Sequence, residues 1–360
     1  MTPPEDILLI QAIRQPEKTL SFKLDGWDIL IRQARSAGVL TRLGLLLSEH
    51  HLLNKIPQQP LNHLKSAIVY FEQFEYTVAW EIKQIQEVLN KQNIPFVLLK
   101  GAAYHQAKNK AGAGRVFSDI DILVKREQLG EVEKVFLTSG WLFDKTNSYD
   151  QDYYRKWMHE LPPLRHFKRG TSLDIHHNLV PLTSKVCPDV KKLWMQAETV
   201  KGGILVLSPA DRVIHSAVHL FYDGEYEHGF RDISDIDLLL REFSKDEKFW
   251  KSLISRSTEL GLKEPVCYAL RYCYYFLKTP VPKDVLNLVV KQHGEIRWAI
   301  MDFLFKRALL PNHSTCQDRW NDLAIFVLYI RGHLLRMPLY LLIPHLLRKG
   351  WMRLSGKAGH

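Results

Sequence analysis

Asp119 and Asp121 stand two residues apart in the run Asp119-Ile120-Asp121-Ile122-Leu123-Val124. On a β-strand, side chains at i and i+2 point to one face, so the two carboxylates would sit side by side. Such a pair repels itself unless a cation lies between the charges, and Mg²⁺ favours carboxylate oxygens completed by phosphate and water. Ile120 and Ile122 would pack on the opposite face. Alone, the pattern also describes a solvated strand, so its neighbours must decide. Lys100-Gly101 lies upstream, at the end of an apolar run. A glycine there lets backbone N–H groups approach a phosphate, and the start of a following helix adds a favourable dipole. Arg115 precedes the aspartate strand and can neutralise a phosphate; Ser118 opens that strand. Asp174, in Leu173-Asp174-Ile175-His176, is a third carboxylate on a later segment. It could hold a second ion or take a proton from an attacking hydroxyl. His176 shares the face of Asp174, where it could touch a phosphate, orient Asp174, or sit as a hydrogen-bonded, partly buried ring.

The elements that must position these residues can be read from periodicity. Residues 1 to about 92 are predicted helical, most clearly where Phe71, Phe74, Val78, Ile82, Ile85 and Leu89 draw one apolar stripe. Asn93 and Pro95 end it. Residues 94–99 form a short apolar run that predicts a buried strand, and a helix is expected from Ala102 to Ala107. Residues 108–115 read as a loop and 119–124 as a second strand. A helix over 126–139 should stop at Gly140. Leu164–Lys168 and Ser172–His176 predict two strands joined at Arg169-Gly170. Ser208, Pro209 and Asp211 form a capping-box-like helix start, after which the pattern stays helical with breaks near Thr279-Pro280 and Pro311. The expected organisation is a helical region over 1–92, an α/β core over 93–205, and a helical region with a basic tail over 206–360.

Taken together, Leu98-Leu99-Lys100-Gly101-Ala102-Ala103, Arg115, Ser118-Asp119-Ile120-Asp121-Ile122-Leu123-Val124 and Leu173-Asp174-Ile175-His176 resemble the bacterial "uncharacterised nucleotidyltransferase" family of the DNA polymerase beta-like superfamily. The stretch holding His215, His219 and Asp235 is similar to it too, and the likeness covers roughly residues 40 to 300. The resemblance implies an α+β fold, a small mixed sheet flanked by helices. It also implies two Mg²⁺ ions, with Mn²⁺ as the alternative, and transfer of NMP from an NTP to a hydroxyl or amine of a small molecule, sugar, peptide or protein. Carried over by position, Asp119, Asp121 and Asp174 would be the metal ligands and catalytic carboxylates. Lys100, Gly101, Ala102, Arg115, Ser118 and His176 would face the nucleotide. Ala102 departs from the superfamily, which commonly has Ser or Gly there. Its side chain offers no hydroxyl to the triphosphate, although its backbone N–H could serve. A decayed site that only binds is the reading this departure favours.

Ser-Asp-Ile-Asp recurs at 234–237, but in a helical pattern, where residues two apart diverge by about 200° and cannot easily share an ion. That copy is expected to be structural. His215 and His219, four apart on a helix, have zinc spacing but no third ligand, and a face of two neutral histidines is the simpler reading. The chain of 360 residues carries a net charge of +10, which favours acidic partners. After Asp322 there is no acidic residue, while Arg331, Arg336, Arg348, Lys349, Arg353 and Lys357 supply six positive charges among many leucines. This segment suits an adaptor role on an anionic membrane surface, as weak attachment, or on nucleic acid, or else a closing helix pair packed on the core. No nucleic-acid-binding signature is present. The cysteines, Cys187, Cys267, Cys273 and Cys316, form no CxxC pair. Few thiols and an N-terminus unlike a signal peptide lead to a cytoplasmic expectation, peripheral to the inner membrane face if the tail attaches.

Overall fold

A computed structural model describes residues 3–143 and 154–343 of the chain. Four helices open it: α1 (Leu8–Arg14), α2 (Leu24–Ser36), α3 (Leu40–Glu49) and the 33-residue α4 (Gln58–Asn90). The apolar stripe behaves as its spacing demands. Phe71, Val78, Ile82, Ile85 and Leu89 are buried along one side of α4, with Phe74 half-buried.

The sheet follows. Its strands are β1 (Val97–Leu98), β2 (Asp119–Leu123), β3 (Trp141–Phe143), β4 (Leu164–His166), β5 (Ser172–His176), β6 (Glu198–Val200) and β7 (Ile204–Val206). They lie in the order β3-β4-β5-β2-β1-β7-β6. The pairings β2–β5 and β1–β7 are parallel and the rest antiparallel, so the sheet is mixed, as expected. Three of these strands have no counterpart in the sequence reading: β3, β6 and β7. Each is only three residues long, too short for a two-residue period to register. β6 and β7 form a hairpin whose turn uses Gly202 and Gly203 at φ of +88° and +73°. The run 94–99 forms ladder structure only at Val97–Leu98, because Lys100 already turns into α5 (Lys100–Gln106), two residues earlier than expected.

Helix α6 (Leu129–Thr138) covers the sheet with Val132 and Phe136 buried, and Gly140 follows it at φ +88°. A short helix α7 (Val190–Met195) precedes β6. The elements that follow among the described residues are helices: α8 (Pro209–Tyr222), α9 (Gly229–Phe243), α10 (Phe249–Glu259), α11 (Lys263–Leu277), α12 (Lys283–Lys291), α13 (Glu295–Ala308) and α14 (Asn321–Arg336). Ser208 caps α8, its hydroxyl accepting from Asp211 N at 3.3 Å.

Buried ion pairs join these layers. Glu81 on α4 accepts from Arg169 Nε at 2.8 Å and from the Thr171 hydroxyl at 2.8 Å, which fixes the β4–β5 turn. Asp235 on α9 accepts from Arg42 Nη2 of α3 at 2.7 Å and pairs closely with Arg115. The second Ser-Asp-Ile-Asp copy is thus structural: Ser234 and Asp235 hold Arg42, while Asp237 turns to Arg241 and Thr279 at 2.8 and 2.6 Å. No described helix is long and apolar enough to cross a membrane. Of the basic tail, Arg331 donates to the Phe221 carbonyl at 2.8 Å and Arg336 lies 3.9 Å from Asp223. Arg348, Lys349, Arg353 and Lys357 fall outside the described residues.

Candidate active site

Strand pairing decides whether the three carboxylates meet. In the parallel β2–β5 ladder Asp121 lies opposite Asp174 and Asp119 opposite Ser172. Side chains alternate faces, so this register puts all three aspartates on one face; a one-residue slip would send Asp174 to the other. Each offers an oxygen within 4.8 Å of the others. Asp121 is buried, whereas Asp119 and Asp174 are half-buried.

The three carboxyls have unequal electrostatics. Burial opposes the ionisation of Asp121, but the Lys100 ammonium and the His176 ring outweigh it and hold the carboxyl far below the usual range. Lys100 Nζ donates to Asp121 Oδ1 at 2.6 Å and His176 Nε2 donates to the same oxygen at 2.9 Å. Asp174 is the reverse. Burial, then the negative charges of Asp121, Glu160 and Asp119, push its carboxyl well above the ordinary value. Its Oδ1 is buried with no hydrogen-bond partner among the described residues. A half-buried carboxylate that lacks a donor and faces two like charges fits a divalent cation, since oxygen ligands of this type are what Mg²⁺ takes.

Lys100 reaches Asp121 from an unusual backbone. Its φ is +44°, left-handed for a residue with a Cβ, at the junction of β1 and α5. Such a conformation costs about 1–3 kcal/mol and persists where its surroundings enforce it. Here Leu99 N donates to Asp121 O at 3.0 Å, pinning the preceding residue to β2.

An open cleft of about 640 Å³ lies beside Asp119 and Asp121, with Asp174 behind them and not among its lining residues, a size usual for a small-molecule site. Lys100, Gly101, Arg115, Ser118, Asp119 and Asp121 are among its lining residues. Gly101 is explained by close packing: a Cβ there would meet Phe117 Cδ1 at 2.5 Å and Arg115 Nε at 3.1 Å. Ala102 is 1% exposed and is not part of the cleft wall. A hydroxyl at that position would therefore point into packed protein, and the departure from Ser or Gly takes nothing from the cleft. Arg115 borders the cleft but spends Nη1 on Asp235 and on Asp232 at 3.4 Å. Ser118 Oγ donates to Asp119 Oδ1 at 3.1 Å.

His176 is 2% exposed and does not line the cleft. It bonds Asp121 rather than Asp174, and its Nδ1 lies 3.3 Å from Glu160 Oε2. The ring of His159 lies tilted beside it at 5.3 Å between centroids and is kept neutral chiefly by burial, with the adjacent His176 adding to that. Neither His159 nor Glu160 stands out in the sequence, because they precede Leu161-Pro162-Pro163 in a segment without periodicity. Other residues lining the cleft are equally silent in the sequence: Tyr70 on α4, and Glu225, His228 and Arg231 around the start of α9. His219 lines the cleft with its Nδ1 2.5 Å from Asp223 Oδ2. His215, one helical turn earlier, is buried and held neutral mainly by that burial. The two groups of potential metal ligands among the described residues include neither of these histidines.

A family model described as "Uncharacterised nucleotidyltransferase" matches residues 24–278, well over half of the chain. No curated protein and no solved structure matches it.

Proposed function

The chain belongs to the uncharacterised nucleotidyltransferase family, and from that premise we propose that it transfers NMP from an NTP to a hydroxyl or amine acceptor at the Asp119–Asp121–Asp174 face. The observation that carries this reading is the convergence of three carboxylates within 4.8 Å, two of which line a cleft of about 640 Å³. Asp119, Asp121 and Asp174 would hold two divalent ions, Mg²⁺ or Mn²⁺. Ions bound there would polarise the α-phosphate and neutralise charge on the pyrophosphate leaving group.

The chain's own residues supply the rest. Asp121, kept ionised by Lys100 and His176, is the permanent anion of the site. Asp174, the carboxyl with raised proton affinity, is suited to accept the acceptor's proton. Lys100 is free to exchange Asp121 for a phosphate oxygen when a triphosphate enters, because its ammonium already borders the cleft. Gly101 and Ser118 would position the triphosphate, and Arg115 would add positive potential from its buried pairing. His176 orients Asp121.

The test is incubation with each radiolabelled NTP, Mg²⁺ and a cell extract. An acceptor should gain label with the native chain and not with Asp121→Asn. Equal labelling by both would remove Asp121 from the chemistry and with it this reading. A second role, attachment to an anionic membrane surface, is favoured by the exposed Leu323, Phe326, Leu339 and Tyr340 next to the basic tail. Co-sedimentation with vesicles containing phosphatidylserine, lost on removal of residues 323–360, would support it, and equal sedimentation of the truncated chain would exclude it.

A further inference from the structure

His159, Glu160 and His176 form a second group whose ligand atoms all lie within 4.8 Å of one another. The backbone holds the group together. Glu160 forms an antiparallel bridge with His176, Leu161 N donates to Ile175 O at 2.9 Å, and His177 N donates to His159 O at 2.7 Å. The segment carrying His159 and Glu160 is thereby stitched across the end of β5.

The two ring nitrogens of His176 face different partners. Nε2 donates to Asp121, which can only accept, at 2.9 Å. Nδ1 is turned the other way and lies 3.3 Å from Glu160 Oε2. His159 Nδ1 is also buried and has no hydrogen-bond partner among the described residues. Two imidazoles and one carboxylate are a set that zinc accepts, with bond lengths of about 2.0–2.2 Å. A tetrahedron with bonds of that length has ligand atoms separated by roughly 3.3–3.5 Å, which is the spacing of His176 Nδ1 and Glu160 Oε2.

We propose that His159, Glu160 and His176 bind one transition-metal ion of the zinc class, apart from the three aspartates. The histidine that bridges the two groups then has a defined duty. A metal-bound imidazole usually donates its other N–H to a carboxylate, which fixes the ring and sharpens its basicity. Here that carboxylate is Asp121. The ion would lock the 159–160 segment onto β5 and hold Asp121 in a fixed orientation. Zinc binding at this set does not depend on the transfer reaction, so it stands or falls separately from the proposed activity.

The native chain, stripped with a chelator, would be equilibrated with Zn²⁺ in excess Mg²⁺, gel-filtered, and assayed for zinc by mass spectrometry. One zinc per chain is expected in the native protein and in Asp119→Asn. His159→Ala and Glu160→Gln should each lose affinity at least tenfold while keeping their far-UV circular dichroism. Zinc K-edge absorption on the unmodified chain, which needs no variant to fold, should show two imidazoles in the first coordination sphere. Absence of retained zinc, an oxygen-only coordination sphere, or unchanged affinity in His159→Ala would overturn the assignment.

Discussion

Replacing Asp174 by asparagine separates the charge of the site from its shape. The amide is nearly isosteric but carries no charge and takes up no proton. In the native chain the Asp174 carboxylate stands within 4.8 Å of those of Asp119 and Asp121. At an effective dielectric of about 20, each such like-charge pair costs about 3 kcal/mol. Lys100 offsets part of this, and the solvent reaching Asp119 and Asp174 weakens it further, leaving roughly 2 kcal/mol of net repulsion. The raised pKa of Asp174 fixes the sign of the pH dependence. The folded chain binds that proton more tightly than the unfolded chain. The contribution is therefore fully present below the ordinary carboxylate pKa of about 4 and is lost as pH rises through the elevated value. In EDTA, the native melting temperature should fall, relative to Asp174→Asn, across that window. At pH 8 the variant should melt higher by roughly 2–5 °C. Added Mg²⁺ should reverse the order, because only the native chain can use the third carboxylate. Thermal melts of both proteins from pH 4 to 9, with EDTA and with Mg²⁺, measure all of this. If the variant gains as much from Mg²⁺ as the native chain, or melts lower in EDTA at pH 8, Asp174 is not held against its neighbours' charge and the metal-site argument fails.

Three further outcomes follow from the packing around the cleft. Gly101→Ala should cost about 1–3 kcal/mol in urea unfolding, since its Cβ would strike Phe117 Cδ1 at 2.5 Å, and adding Phe117→Ala should recover part of that loss. Asp235→Ala should cost about 3–5 kcal/mol by stranding the buried Arg42 and Arg115; a loss under 1 kcal/mol would mean the pair is solvated. Ala102→Ser should leave nucleotide labelling unchanged and lower stability by about 1 kcal/mol, because position 102 is packed rather than open to the cleft; a gain in labelling would show that its side chain does reach the triphosphate.

The parts of the fold legible in the sequence are those with long or clean periods. α4 was drawn by its apolar stripe, and β2 and β5 by alternation. The β4–β5 hairpin was marked by Arg169-Gly170, whose glycine adopts φ +74°. What escaped were strands of three residues, held in place by partners far away in sequence. β7 pairs with β1 across more than a hundred residues, Val97 with Leu205 and Leu98 with Val206, and no local pattern announces such a contact. Strand β3 is likewise defined by its pairing with β4, Trp141 with His166.

The site divides the same way. The three aspartates could be named because their spacing on strands is a local property, yet their convergence depends on a parallel register that only the sheet sets. His159 and Glu160 had no local signature at all; they matter because a bridge carries them onto the end of β5. The sharpest case is the repeated tetrapeptide. Ser118-Asp119-Ile120-Asp121 and Ser234-Asp235-Ile236-Asp237 are identical in composition. On β2 the two carboxylates share a face and gather Lys100, His176 and Asp174 around them. On α9 the same two residues diverge, one toward Arg42 and Arg115 and the other toward Arg241 and Thr279. Each carboxylate on the helix is matched by arginine, whereas the strand copy, with Asp174 added, keeps a surplus of negative charge over Lys100. That uncompensated charge, which the period of the backbone creates from an identical sequence, is what makes the first copy a place for cations and the second a clasp between helices.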